Sequence, residues 1–210
     1  VGLRTFVDPR IGGGRQSQRA TEDLIEVVTL RGEEYLFYKP YKVDVAFIRG
    51  SAIDEAGNLS MEHEAVTLEM LSIAQAARRQ GGIVIAQAKR LVPRGTLHPK
   101  MVKVPGILID AFVIEPDQWQ TYETQDSLAY SGHHRVALDE VPRLPAGPRR
   151  IIARRGALEL FEGAICNLGS GVSTGIANVA AEEAMLDRIC LTNEQGNIGG
   201  APASGNDAGA

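Results

Sequence analysis

The sequence predicts an α/β fold with mostly parallel sheets, laid out in two successive parts. Three observations predict it. A β-branched run at 43–48, a helical pattern at 64–79 and an apolar run at 83–86 follow one another directly. The same order returns at 164–168, 174–185 and 189–191. A strand–helix–strand order makes the two strands parallel neighbours joined by a right-handed crossover. Between the two occurrences, residues 118–148 show little periodicity and end in Pro142, Pro145 and Pro148, the composition of a linker.

Composition bounds the function. The 210 residues are 44% hydrophobic and 23% charged, enough for one large domain or two small ones. A net charge of -4 with scattered Lys and Arg gives no footprint for nucleic acid. No apolar run approaches the roughly 20 residues that span a bilayer, and no signal-peptide pattern opens the chain. Cys166 and Cys190 lie in apolar strand-like runs, which suits reduced, buried thiols and a cytoplasmic location; a disulfide between them is the minor alternative. The chain starts at Val1 and stops in a Gly/Ala/Ser/Asn tail, which reads as an interior piece of a longer protein; a natural flexible tail is the plainer account of the C-terminus.

In chain order, residues 2–21 form a glycine-rich loop, and no Gly-Lys-Ser/Thr follows Gly12-Gly13-Gly14, so this is no P-loop. Residues 26–30 and 35–38 flank Arg31-Gly32-Glu33-Glu34 as a hairpin. A turn at 54–58 follows the strand at 43–48. The helix at 64–79 is punctuated by Glu62 and Glu64 at its start, Arg78 and Arg79 at its end, and Gly81-Gly82 beyond. Three prolines make 92–106 loop, and 107–114 is a further strand. Pro148 opens a helix at 149–160. A strand at 164–168 leads into the Gly169-Ser170-Gly171 turn, and Ser173 or Thr174 caps the next helix.

The chemistry concentrates after the strand at 189–191, where Glu194 is followed by Gly196, Gly199 and Gly200. Open α/β sheets place ligands at strand tips. Three readings suit this carboxylate. It is a solvated loop residue or cap. Or it is the ribose-binding acid of a dinucleotide site with Gly169 and Gly171, although the third glycine, Gly175, falls one place late for the fingerprint. Or it is a covalent nucleophile, able to attack an activated carbonyl such as a thioester once water is excluded. Backbone N–H groups of the Gly169–Gly171 turn or of Gly199 and Gly200 would then hold the oxyanion, at about 3 kcal/mol per donor.

The residues that break this tie are spread along the chain. They are Gly2-Leu-Arg-Thr-Phe-Val-Asp-Pro-Arg10, Asp44-Val-Ala-Phe-Ile-Arg-Gly50, Gly57-Asn-Leu-Ser-Met-Glu62, Gly81-Gly-Ile-Val-Ile-Ala-Gln87, Val104-Pro-Gly-Ile107, Asn167-Leu-Gly-Ser-Gly171 and Glu194-Gln-Gly-Asn-Ile-Gly-Gly200. With these the sequence resembles the family I CoA-transferases, of the fused-chain short-chain acyl (acetate/propionate) type related to the 3-oxoacid enzymes of ketone-body metabolism. The resemblance implies two similar three-layer α/β domains. Residues 1–147 would be the C-terminal portion of the first and 148–210 the N-terminal portion of the second, both incomplete. It implies ping-pong CoA transfer between an acyl-CoA and a short-chain carboxylic acid through a Glu194 anhydride and thioester. CoA is then a substrate, no cofactor is needed, and the full-length protein is a homo-oligomer. An acyl-CoA hydrolase is the nearest rival, and the isolated piece is expected to be inactive. Thr174 stands where the family commonly has Glu, which bears on substrate preference.

Of the other polar residues, Gln87 ends a strand and is a candidate contact for the substrate carboxylate or a strand-end hydrogen bonder. Glu62 and Glu64 are explained by the helix dipole. His133-His134, His63 and His98 show no metal spacing and no Ser-His-Asp pattern. Tyr35, Phe37 and Tyr38 read as strand packing.

Overall fold

A computed structural model describes residues 22–207, in two compact units, Val1–Val43 and Asp44–Ala210. The predicted loop at 2–21 and the Gly2–Arg10 motif lie outside the described residues.

The first unit contains a hairpin. β1 (Ile25–Leu30) pairs antiparallel with β2 (Glu33–Tyr38), from Ile25↔Tyr38 to Leu30↔Glu33. Arg31 and Gly32 both have positive φ, 53° and 87°, as a two-residue turn matched to strand twist requires.

The second unit is built on a five-stranded sheet in the order β6-β4-β3-β5-β7. β3 (Val45–Asp54) lies parallel to β5 (Ile83–Val92), and β5 parallel to β7 (Ala111–Ile114). β4 (Leu59–Ser60) and β6 (Val102–Val104) add antiparallel. The sheet is therefore mixed rather than mostly parallel: the chain turns back at Asp54 before it enters the crossover. α1 (Met70–Arg79) is that crossover and packs against β3 and β5. Ala46, Ile48, Val84 and Ala86 alternate inward on the two strands and are buried, as are Ala74 and Ala77 of the helix. Val45, Phe47, Ile83 and Val113 stand on the opposite, exposed face.

Three sequence expectations need correction here. α1 begins at Met70, six residues later than expected, so Glu62 and Glu64 are not at its N-terminus. Each instead takes an arginine from a strand: Glu62 pairs with Arg90, and Glu64 with Arg49 at 2.7 Å. The dipole explanation fails because both acids lie before the helix and are engaged by these arginines. β5 runs on to Val92, since the polar residues Gln87 and Arg90 still find ladder partners on β3. The proline-rich stretch contains the short strand β6, whose Leu59↔Val104 pairing closes the sheet edge.

Beyond the linker stretch, α2 (Pro148–Ala157), β8 (Ile165–Leu168), α3 (Gly175–Glu182) and β9 (Cys190–Asn193) follow as predicted. β8 and β9 are parallel. Leu168, Ala177 and Leu191 form their small core, the two buried leucine side chains worth about 2 kcal/mol each. Neither Ser173 nor Thr174 caps α3 with its side chain; both hydroxyls donate backwards to turn carbonyls. Cys166 pairs with Leu191 and Cys190 with Ile165, so the two thiols point to opposite faces and no disulfide joins them.

Candidate active site

Leu168 and Asn193 are paired at the ends of β8 and β9, so the next residues, Gly169 and Glu194, emerge side by side at the strand tips. A methyl group built on Gly169 would stand 3.6 Å from Glu194 Oε2. Glu194 is exposed, and Gln195 Nε2 donates to its Oε1 at 3.3 Å.

A tight loop presents this carboxylate. Asn193 N donates to Asn197 O at 3.3 Å, Gly196 N to Asn193 O at 3.1 Å, and Asn197 N to Asn193 Oδ1 at 3.1 Å. Ile198 then bridges antiparallel to Thr192, and Gly199 N donates to Leu191 O at 2.7 Å. Gly196 has φ 88°, a left-handed turn conformation that glycine adopts without strain. Asn193 is 5% exposed and organises the loop through both backbone and side chain. The sequence reading did not single it out. The clue was available: Asn at the loop entrance with a matching Asn four residues on is the pattern of a side chain bonding its own turn.

Gly169 of the Gly169–Gly171 turn lies against the carboxylate, and the carbonyls of Gly169 and Gly171 are already committed. Gly169 O accepts from Ser173 Oγ at 2.8 Å; Gly171 O accepts from Thr174 Oγ1 at 2.7 Å and from Arg149 Nη2 at 2.8 Å. The backbone N–H groups from Gly169 to Val172 find no acceptor among the described residues. Such a row of free N–H groups suits an anion or a developing oxyanion. Of the four candidate glycines, Gly169 lies against Glu194 and Gly171 belongs to the same turn. Gly199 has its N–H spent on β9, and Gly200 follows it with φ 74°.

Gln87 sits in the other sheet and ends a polar chain. Its Nε2 donates to Gln118 Oε1 at 3.0 Å, and Gln118 Nε2 donates to Gly50 O and to Glu64 Oε1, each at 2.9 Å. Glu64 Oε2 accepts from Arg49 Nε at 2.8 Å. Arg49 and Gln87 are register partners and line a groove of about 550 Å³ with Phe47, Ile85 and Val113. Because β5 runs on to Val92, Gln87 stands mid-strand rather than at a strand end, and its amide is engaged by Gln118.

His133 Nδ1 is hydrogen-bonded with Ser131 Oγ at 2.9 Å and its ring stacks on His63, centroids 5.4 Å apart, a pairing across 70 residues invisible to sequence. Glu62 lies beside them in a cavity of about 340 Å³. Burial pushes its pKa up, but the Ser60 hydroxyl, its own N–H and Arg90 prevail and hold it low. Among the described residues no group of three or more His, Cys, Asp or Glu is arranged to hold a metal ion. No helix there is long and apolar enough to cross a membrane. Gly175, the misplaced third glycine of the dinucleotide reading, is used up in helix packing: a Cβ there would meet Leu144 Cδ1 at 2.8 Å and Ala153 Cβ at 3.1 Å.

Comparison with known proteins agrees with this architecture. The family described as Coenzyme A transferase matches residues 1–115, more than half the chain. Caffeate CoA-transferase of Acetobacterium woodii is 45% identical over 207 residues, covering 97% of this chain and 40% of that protein. Acetate CoA-transferase YdiF of Escherichia coli K12 is 41% identical over 206 residues, covering 98% and 39%. The crystal structure of acyl-CoA transferase YdiF from E. coli O157:H7, solved as a thioester complex with CoA, superposes with a TM-score of 0.79 at 41% identity, over 98% of this chain and 39% of that one. The chain thus spans about two fifths of the length of these relatives, and it belongs to the coenzyme A transferase family.

Proposed function

We propose that the full-length protein transfers CoA from an acyl-CoA to a short-chain carboxylic acid, with Glu194 as the nucleophile. The observation that carries the reading is the juxtaposition of an uncommitted carboxylate at the tip of β9 with Gly169 and the free N–H groups of its turn. The capture of the similar YdiF as a thioester complex with CoA supports it. Residues 1–147 are the C-terminal portion of a first domain and 148–210 open a second, in a protein that assembles as a homo-oligomer.

Glu194 attacks the thioester carbonyl of the acyl-CoA. The C–S bond breaks, CoA leaves as thiolate, and an acyl-glutamyl anhydride remains. The thiolate attacks the glutamyl carbonyl, giving a glutamyl-CoA thioester and releasing the first acid as carboxylate. A second carboxylate reverses the two steps and departs as its CoA ester. The turn N–H groups from Gly169 to Val172 hold the oxyanion of each tetrahedral intermediate. Positioning supplies the rest of the acceleration, and the activated carbonyl is conserved throughout, so the chemistry needs no metal or redox group.

The exposure of Glu194 favours one second reading, hydrolysis of the same intermediate. In full-length protein, Glu194→Ala should abolish exchange between acyl-CoA and labelled acid; retained exchange would refute the nucleophile. Free CoA accumulating without an acceptor acid would assign hydrolysis instead of transfer.

A further inference from the structure

The segment after Glu194 is tied down at two places. Near the carboxylate, Ile198 and Gly199 return along β9, and Ala201 packs against the Leu168–Ala177–Leu191 core. Further on, Gly205–Asp207 forms a short 3-10 turn that sets down on residues far away in sequence. Asp207 is 9% exposed. Its Oδ1 accepts from Thr121 Oγ1 and from Glu123 N at 3.0 Å, and its Oδ2 accepts from Thr124 Oγ1 at 2.6 Å. These partners lie 83 to 86 positions back.

The receiving loop is closed by its own hydrogen bonds. Thr121 N donates to Thr124 O at 3.0 Å, and Thr124 N to Thr121 Oγ1 at 3.1 Å. The preceding residue, Gln120, accepts from Arg49 Nη2 on its backbone oxygen at 2.8 Å and donates from Nε2 to His63 O at 2.7 Å. Asp207 therefore fastens the far end of the segment carrying the Glu194 loop to a frame built on β3 of the main sheet.

A surface attachment would use a flexible, solvated side chain. Here a buried carboxylate has both oxygens taken by hydroxyl and amide donors, an arrangement specific in direction and costly to leave incomplete. We propose that Asp207 is a positioning residue for the transfer reaction: its carboxylate latches the chain that follows Glu194 onto the Thr121–Thr124 loop and so fixes the approach of the thioester to the nucleophile. The proposal rests on the reading of Glu194 given above. It assigns Asp207 no contact with substrate.

The test uses full-length protein, rapid quenching after mixing with acyl-CoA, and intact-mass measurement of the CoA-bearing enzyme. Wild type should accumulate the adduct; its absence would defeat the reading of Glu194 itself. With wild type positive, Asp207→Asn should slow adduct formation by about tenfold or more at saturating acyl-CoA, the scale of a small misplacement at a reacting centre. Thr124→Val, which removes one donor and keeps the carboxylate, should slow it by about threefold, and Thr124→Ser should restore it. Thr124→Val and Thr124→Ser also decide the matter if Asp207→Asn does not fold. A purely structural latch would lower the melting temperature of these variants with adduct rates per folded molecule unchanged, and that result would overturn the proposal.

Discussion

At the tip of β3 the carboxylate of Asp54 is 1% exposed and accepts from Ala56 N, Asn58 N, Asn58 Nδ2 and Gly95 N, at 2.9 to 3.1 Å. At the tip of β9 the carboxylate of Glu194 is exposed, and its only side-chain hydrogen bond among the described residues is the 3.3 Å contact from Gln195. Both acids stand at strand tips of a strand–helix–strand unit, Asp54 at the end of its first strand and Glu194 just after its second. The first closes three loops: Asn58 Oδ1, held by Asp54, in turn accepts from Gly106 N at 3.0 Å. Gly106 must be glycine, because a Cβ would lie 2.0 Å from Ala56 O. An acid with every lone pair engaged is a structural pin; an acid beside unengaged N–H groups retains its nucleophilic capacity. Hydrogen-bond commitment, rather than position in the sheet, separates the two roles.

That contrast can be broken by substitution. Glu194→Gln should lower transfer by roughly 10⁴-fold or more while leaving the melting temperature unchanged, as expected for a nucleophile whose removal leaves no buried donor behind; steady-state exchange and calorimetry on the same preparation check both halves. Asp54→Ala should do the reverse. Orphaning buried donors at three loops costs about 3 kcal/mol in unfolding free energy, read by urea titration, with turnover per folded molecule largely kept. Gly169→Ala places a methyl in ordinary contact with Glu194 Oε2, so stability should hold while exchange falls by about tenfold through crowding of the attacking oxygen.

The smallest effect is in pH. Burial raises the pKa of Asp54, but the Asn58 side chain and the Gly95, Asn58 and Ala56 amides outweigh it and leave it below the usual carboxylate range. A carboxyl depressed in the folded state stabilises fully above its unfolded pKa of about 3.9, and the contribution disappears as pH falls through the lower folded value. Stability should therefore drop on acidification below about pH 4, and Asp54→Asn should flatten that limb. An unchanged slope would remove Asp54 from the account of acid sensitivity, leaving Asp207, whose pKa burial also raises and its Thr121, Thr124 and Glu123 donors lower.

The elements legible in the sequence were those fixed by local pattern. The β1–β2 hairpin, the cores of β3 and β5, and α2, β8, α3 and β9 all have apolar runs bounded by Gly or Pro. The start of α1 was misread because Glu62 and Glu64 are claimed by Arg90 and Arg49, ion pairs that no local propensity encodes. β6 was missed because three residues among prolines become a strand only when β4 offers an edge. At the candidate site, the placement of Glu194 and Gly169 at neighbouring strand tips was legible, while the choice among the three readings of Glu194 rested on the family resemblance. Asp207 was not legible, since it acts through partners more than 80 positions away, and Asn193 was signalled only by the short-range spacing to Asn197.

The central claim is that Glu194 carries CoA. Full-length enzyme incubated with acyl-CoA and digested should give the peptide containing Glu194 with CoA attached as a thioester, and hydroxylamine should remove it. An unmodified Glu194 peptide recovered from a preparation that is actively exchanging acyl groups would contradict the account.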